Sequence, residues 1–314
     1  MINASIIIPL YNSESSIETL IEEIDILLNS YVIDFILVND CSTDSTHEKC
    51  LKLQTKFKNK LTYIKLKKNS GEHNAVMAGL NYAKGDKSFI IDDDFQNSPE
   101  DLKVLLEYSF SKKYDVVYAS YYKKKHNIWR NFLSKLNHIF ANFILNKPKH
   151  IYLSSFKSID KSVVKKIINY TGPTPYIDGI IFNITSNIGQ IQVNHSARAF
   201  GKSGYNFFKL MKLFSNFLFN FSNKLLHLIA YSGAIISLFS LIMTIIIIIE
   251  KLNNPTVPLG YTSIVTLILF FSGLQLFFIG LIGEYVGRVL SVVNKQPQYS
   301  IDLIFKSEEL DKKK

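Results

Sequence analysis

Two long stretches without a formal charge set the first limit on this chain. No Asp, Glu, Lys or Arg occurs from Leu225 to Ile249, or from Leu252 to Gly283. Each run exceeds the roughly 20 residues that a helix needs to cross a bilayer. Ile245 to Ile249 are five consecutive isoleucines, each favourable by about 0.3–0.6 kcal/mol at the centre of a membrane helix. The pattern predicts membrane helices at 225–249 and 259–283, joined by a short external loop, 250–258. A hydrophobic hairpin docked inside a larger protein is the other arrangement it allows. Lys202, Lys209, Lys212 and Lys224 precede the first run, and Arg288 and Lys295 follow the second. The loop between holds only Glu250 and Lys251, which cancel. This charge bias predicts a multi-pass protein of the cell membrane with both flanks in the cytosol. Ala4 to Leu10 is too short for a signal peptide and lacks a basic leader, so it reads as a first strand.

The segments outside the spans divide by composition. Residues 1–204 mix apolar and charged side chains as a soluble domain does. In 205–224, Phe207, Leu210, Met211, Phe214, Phe217, Leu218 and Phe221 recur at three- and four-residue steps between lysines. That spacing fits an amphipathic helix in the membrane interface, or else a core helix of the soluble domain. Residues 284–314 form a cytosolic tail, with Pro297 to Ile301 extended and the last residues frayed. The net charge of +10 is spread along the chain without a nucleic-acid motif. It suits an anionic membrane surface and phosphate-bearing partners, and no nucleic acid is expected. Cys41 and Cys50 are expected to be free thiols in a reducing compartment.

Within the soluble part, strand and helix patterns alternate. Apolar runs at Ser5–Leu10, Phe35–Val38 and Leu61–Leu66 read as strands. Ile17, Leu20, Ile21, Ile24, Leu27 and Leu28 recur at helical spacing, with Ser15 or Ser16 placed to cap. A second helix runs to about Lys56, and a third spans His73–Ala83, where Ala75, Ala78 and Gly79 permit close packing. Later segments read as a helix at Leu102–Ser111, a strand at Tyr114–Ala119 and a strand at Gln190–Ala197. Ile151–Ile159 and Ile180–Thr185 read as short extended or buried pieces. Alternation with short connections predicts a mostly parallel α/β sheet covered on both faces. In such a sheet, ligands bind beyond the carboxyl ends of the strands.

Three strands end in polar signatures: Pro9-Leu10-Tyr11-Asn12, Asn39-Asp40, and Asp92-Asp93-Asp94. The last is the most demanding. Ser88 to Ile91 climbs as a buried strand into three carboxylates. Side chains alternate along an extended chain, so Asp92 and Asp94 share a side and Asp93 takes the other. Two carboxylates at a buried strand end call for a positive partner. Hard oxygen ligands suit Mg²⁺ or Mn²⁺ sharing its shell with a substrate phosphate. The competing reading is an acidic turn in which Asp93 or Asp94 caps the helix opened by Ser98-Pro99-Glu100-Asp101. No G-x-G-x-x-G follows the first strand, which separates the pattern from a hydride-transfer site. Lys123-Lys124-Lys125-His126 reads as a solvated loop, whereas Arg130 and Lys135 beyond it suit a phosphate.

Taken in order, these motifs resemble family 2 glycosyltransferases of the GT-A fold. Within that family they are similar to the polyprenyl-phosphate glycosyltransferases related to dolichyl-phosphate mannose synthase and to bacterial undecaprenyl-phosphate sugar transferases. The likeness rests on Ile8 to Asn12, Val38 to Asp44, Gly71 to Leu80, Asp92 to Gln96, Ser154-Ser155-Phe156-Lys157, Arg198 to Tyr205 and Gly283 to Arg288. It implies a GT-A-type, Rossmann-like, mostly parallel sheet domain followed by an interfacial helix and two transmembrane helices. It also implies a metal-dependent, inverting hexosyltransferase. Pro9, Tyr11, Asp40, Asp92 and Asp93 would bind the donor, and Asp94 and Gln96 the metal. Asp92, Asp94, Arg130 and Arg198 would carry catalysis, with Lys202 and Ser203 on the acceptor. The implied partners are a nucleoside-diphosphate sugar, a polyprenyl phosphate and the lipid bilayer, with a homo-oligomer as an open option. Transfer to another lipid such as diacylglycerol, chain elongation of a polysaccharide, or a non-catalytic nucleotide-sugar-binding tether are the rivals.

Three departures from the family pattern stand out. Ser13 follows the Tyr-Asn pair where Glu is common, with Glu14 next. Cys41 replaces a usual glycine. Ser154-Ser155-Phe156-Lys157 stands where many relatives carry Gly-Asp-Phe-Arg, so a carboxylate often assigned to catalysis is absent. Asp178 is the reserve candidate, against a plain turn residue.

Overall fold

The computed structural model describes residues 3–121, 151–194 and 260–307, with isolated positions 242, 249 and 253. The chain divides into two compact units, Met1–Phe207 with Lys295–Lys314, and Phe208–Asn294.

The first unit is built on one sheet. Its strands are β1 (Asn3–Leu10), β2 (Val32–Asn39), β3 (Leu61–Leu66), β4 (Lys87–Ile90), β5 (Val116–Tyr121), β6 (Lys157–Asp160), β7 (Ile188–Val193) and β8 (Ile301–Phe305). The spatial order is β7-β5-β6-β4-β1-β2-β3-β8. β1 pairs in parallel with β2 and β4, β2 with β3, and β5 with β7. β6 runs antiparallel between β4 and β5, and β8 runs antiparallel along β3. The chain leaves β1 toward β2 and β3, then returns to lay β4 on the other side. That reversal makes the carboxyl ends of β1 and β4 a topological switch point, where neighbouring strands diverge and leave a crevice. The last β1–β4 pair is Ile7 with Ile90. Pro9 lies two residues beyond it, so its missing N–H falls where one neighbour has already left.

The helices follow from apolar periodicity. α1 (Ile17–Leu27) buries Ile17, Leu20, Ile21 and Ile24 on one face, each side chain contributing about 1.5–3 kcal/mol by leaving water. α2 (Thr46–Lys56) buries Cys50 and Leu53. α3 (Glu72–Leu80) lies hard against the sheet. A Cβ added at Gly79 would meet Ile7 Cγ2 at 2.5 Å and Val38 Cγ2 at 3.3 Å. α4 (Pro99–Ser111) opens with a capping box between Ser98 and Asp101. The helix is therefore capped by Ser98 and not by Asp93 or Asp94, which are left for other work. Ser16 stands at the start of α1, but its hydroxyl is also used elsewhere, as described below.

Two segments differ from the sequence expectation. Residues 180–185 fall largely in a helix, α6 (Ile177–Ile184), which follows α5 (Lys161–Ile167). The buried Ile177, Ile180 and Ile181 are spaced for one helical face, a pattern that a run of isoleucines conceals. The tail is more than an extended end. After residue 295 it returns to the first unit and adds β8 to the sheet, with Phe305 stacked on buried Tyr63 at 6.4 Å between centroids.

In the second unit, α7 (Tyr261–Val293) is a single helix of 33 residues, about 50 Å long at 1.5 Å per residue. Its segment Leu274–Val293 is apolar enough to cross a membrane, and none of it is buried within the chain. Leu276 is 69% exposed. The helix does not end at Gly283, the expected end of the second span. The helix continues through Gly283 and Gly287, where nothing crowds the backbone and no proline intervenes. The expected helix at 205–224 lies outside the described residues, as does that at 225–249 apart from positions 242 and 249.

Candidate active site

The crevice at the carboxyl ends of β1, β2 and β4 gathers the three polar signatures. Past β1, Tyr11 is 53% exposed and its amide donates to Ser13 Oγ at 3.1 Å. Asn12 adopts φ 55°, a left-handed conformation that asparagine tolerates. Past β2, Asp40 is buried and its carboxyl is pushed upward by desolvation. Its two oxygens accept from the amides of Ser70 and Gly71 at 2.7 and 2.8 Å. This ties the end of β2 to the entry of α3, and each oxygen keeps further acceptor capacity. Cys41 has φ 59°, which explains in steric terms why glycine is usual there. Pro9 is buried within the end of β1.

In the acidic loop after β4, Asp92 and Asp93 reach different partners. Asp93 turns toward α1, where Oδ2 accepts from Ser16 Oγ at 3.1 Å. Asp92 turns the other way, and its Oδ2 accepts from Ser155 Oγ at 2.6 Å. Asp94 Oδ1 accepts from the amide of Gln96 at 3.1 Å, across Phe95 at φ 57°. A left-handed phenylalanine is an uncommon backbone state that surrounding structure must hold in place. Burial pushes the Asp92 carboxyl up to about 7, with the neighbouring Glu72, Asp94 and Asp93 charges adding to the rise. The Ser155 hydrogen bond works against it. Glu72, in the first turn of α3, is also raised by burial, with Asp178 and Asp94 adding to the rise and Lys157 partly offsetting it. Its side chain is exposed to solvent.

Asp92 thus lies among the negative charges of Glu72, Asp94 and Asp93. Among the described residues, no three His, Cys, Asp or Glu side chains form a ready-made metal cage. Mg²⁺ needs no such cage, since it is usually held by one or two carboxylates, with substrate phosphate and water completing the shell. Asp92 and Asp94 fit that donor set.

A second charged cluster lies beside the first. Lys157 on β6 forms an ion pair with Asp178 on α6, both nearly buried. Tyr118 Oη donates to the same Asp178 oxygen at 2.8 Å, and the Lys157 ammonium lies 5.1 Å from the Tyr118 ring centroid. His73 packs edge-on against Tyr176 at 5.0 Å between centroids, and burial lowers its imidazole to about 4, so it is neutral. Asp178 is therefore no simple turn residue. It is half of a buried pair.

Glu14 accepts from the amide of Ser45 at 3.0 Å and so helps shape the entry to α2. Arg130, Arg198, Lys202 and Ser203 lie outside the described residues, as do Lys135 and the basic loop 123–126. Glu72, His73 and Lys157 were not anticipated as site residues. The available signal was position: an acid in the first turn of the helix after Asn69-Ser70-Gly71, at the same sheet edge as the acidic loop.

Comparison with known proteins agrees with this geometry. Residues 5–168, which are 164 of the 314, match the sequence model of glycosyl transferase family 2. An undecaprenyl-phosphate 4-deoxy-4-formamido-L-arabinose transferase from Photorhabdus laumondii is 26% identical over 304 residues, covering 96% of this chain and 93% of its own. An uncharacterized glycosyltransferase from Synechocystis is 29% identical, covering 96% and 95%. Among solved structures, glucosyl-3-phosphoglycerate synthase from Mycobacterium tuberculosis with UDP superposes at a TM-score of 0.51 with 17% identity, over 66% of this chain and 74% of that one. The same enzyme with Mn²⁺, UDP and phosphoglyceric acid gives 0.50 with 16% identity, over 67% and 73%. The fold is that of these glycosyltransferases, and the chain belongs to glycosyl transferase family 2.

Proposed function

We propose that this transferase moves a sugar, with inversion at the anomeric carbon, from a nucleoside diphosphate to a polyprenyl phosphate at the cytosolic face of the cell membrane. The observation that carries the reading is the acidic end of β4, where Asp92 lies among the carboxylates of Glu72, Asp93 and Asp94 at the carboxyl ends of the strands. The near full-length similarity to an undecaprenyl-phosphate sugar transferase supports the acceptor class.

In this reading the nucleoside lies along Pro9, Tyr11 and Asp40, and the diphosphate lies at Asp92 and Asp94. A bound Mg²⁺ or Mn²⁺ would neutralise charge on the departing diphosphate. An oxygen of the acceptor phosphate attacks the anomeric carbon from the face opposite the leaving group. The bond to the diphosphate oxygen breaks, and its electron pair stays on that oxygen. A general base contributes roughly 10²–10⁴-fold when the acceptor is a hydroxyl. A phosphate monoester is already anionic at neutral pH, so its attacking oxygen needs no proton removed. Ser155 in place of a carboxylate fits such an acceptor. Asp178 is held by Lys157 and Tyr118, an arrangement that suits a structural role better than proton transfer. What remains for the protein is alignment and charge stabilisation. Arg130, Arg198, Lys202 and Ser203 are proposed to meet the phosphates, and the apolar segments to hold the domain at the bilayer.

The test is incubation of membranes with labelled nucleotide sugars and polyprenyl phosphate. A mild-acid-labile glycolipid is the expected product. An alkali-stable glycolipid or a glycerolipid would move the acceptor to a hydroxyl. Donor binding without turnover would make the chain a tether.

A further inference from the structure

The segment Ser154–Ser155 is joined to the acidic loop at two points. Ser155 Oγ donates to Asp92 Oδ2 at 2.6 Å. Tyr121, at the end of β5, donates from Oη to Asn97 Oδ1 at 3.0 Å and lies 3.1 Å from Ser154 Oγ. Ser154 Oγ in turn accepts from the amide of Phe156 at 3.2 Å. Asn97 and Ser154 are buried. The loop from Asp92 to Asn97 is thus held at its first and last residues by one short stretch of chain. That stretch enters β6, whose Lys157 pairs with Ile90 of β4. β4 leads directly into Asp92, so β6 and the acidic loop share one rigid frame.

The contact at Asp92 is short and charge-assisted, the stronger kind of hydrogen bond. It occupies one oxygen and fixes the plane of the carboxylate. A carboxylate with one oxygen anchored presents the other in a defined direction. Groups that hold a metal-ligating carboxylate in this way set metal affinity without touching the metal, and their loss weakens it by about 10–100-fold.

We infer that Ser155 is the positioning residue for Asp92: its hydroxyl orients that carboxylate for the divalent cation, backed by the Ser154–Tyr121–Asn97 link. The inference rests on the reading of Asp92 and Asp94 as cation ligands. It gives the serine at this position a function of its own, so the departure from the family pattern is more than the loss of an acid. A hydroxyl holds Asp92 without adding charge to a cluster that already carries three carboxylates. An aspartate at 155 would place a fourth beside it.

The experiment measures Mn²⁺ binding to the full chain in detergent by the loss of free-ion electron paramagnetic resonance signal, with thermal melting as the folding control. Ser155 is only half-buried, so Ser155→Ala is expected to fold. Ser155→Ala should weaken Mn²⁺ binding by about 10-fold or more. Ser155→Thr keeps the hydroxyl and should stay within about 3-fold of the unaltered protein on the same scale. The Mn²⁺ concentration for half-maximal transfer should rise in Ser155→Ala in proportion. Unaltered Mn²⁺ affinity in Ser155→Ala overturns the inference while leaving the metal reading intact. So does equal weakening in Ser155→Ala and a folded Ser155→Thr. If the unaltered protein binds no Mn²⁺, the metal reading fails first and this inference goes with it.

Discussion

Two clusters of charge lie side by side in this fold, and they are built on opposite principles. At Lys157, Asp178 and Tyr118, a buried acid is matched by a buried base and a hydroxyl donor. At Asp92, Asp94 and Glu72, acids face one another, and burial and mutual repulsion hold the Asp92 carboxyl near 7. The first cluster pairs opposite charges. The second gathers like charges, and a titratable group whose proton affinity is shifted this way in a cleft is a functional candidate.

The contrast predicts opposite responses to mutation. Removing Lys157 strands a buried carboxylate, so Lys157→Met should destabilise by about 3–5 kcal/mol. The double variant Lys157→Met with Asp178→Leu should recover most of that loss. Denaturant unfolding in detergent measures both. If Lys157→Met unfolds like the unaltered protein, the pair is not a balanced unit. Removing one acid from the other cluster should spare the fold and disable the chemistry. Asp94→Asn should lower transfer by about 10²–10³-fold, the scale of losing about 2.7–4 kcal/mol of charge stabilisation. Its metal-free melting temperature should not fall. A variant that transfers normally, or one that melts far below the unaltered protein, would break the comparison.

A milder effect is expected at the far end of the strands, away from the crevice. Asp34 on β2 accepts from Ser5 Oγ at 2.7 Å, and burial raises its carboxyl to about 6. Between its unfolded value near 4 and about 6, the folded state holds this proton and the unfolded state does not. The stability that the proton confers is present at low pH and lost as pH rises through about 6. Asp34→Asn should therefore add roughly 1–2 kcal/mol at pH 7 and little at pH 4. Unfolding measured at the two values decides it. An equal effect at both would show that Asp34 is not titrating in this window.

Much of this was legible in the sequence because the signals are local. Apolar runs ending in Pro9, Asp40 and Asp92 marked three strand ends, and a parallel sheet brings such ends to one edge. The alternation of Asp92 and Asp93 anticipated that these two acids would reach different partners, Ser155 and Ser16. What escaped depends on distant partners. Lys157 looks too polar for a buried strand until Asp178, 21 residues on, supplies its counter-charge. β8 makes sense only through Tyr63, whose ring meets Phe305. Glu72 carries no motif, and α3 brings it to the acidic loop only because Gly79 lets the helix lie close to β1. The start of α1 misled for a similar reason. Ser16 has the residue type of a cap, but its hydroxyl reaches Asp93, 77 positions away.

The central claim is that Asp92 and Asp94 form the protein's half of a divalent-cation site. The most direct test is the melting temperature of the full chain with and without saturating Mn²⁺, compared with Asp92→Asn/Asp94→Asn. A ligand at 100 times its dissociation constant stabilises by about 2.7 kcal/mol. The unaltered protein should therefore melt several degrees higher with Mn²⁺, and the double variant should show no response. An equal rise in both proteins would place the cation elsewhere and contradict the account.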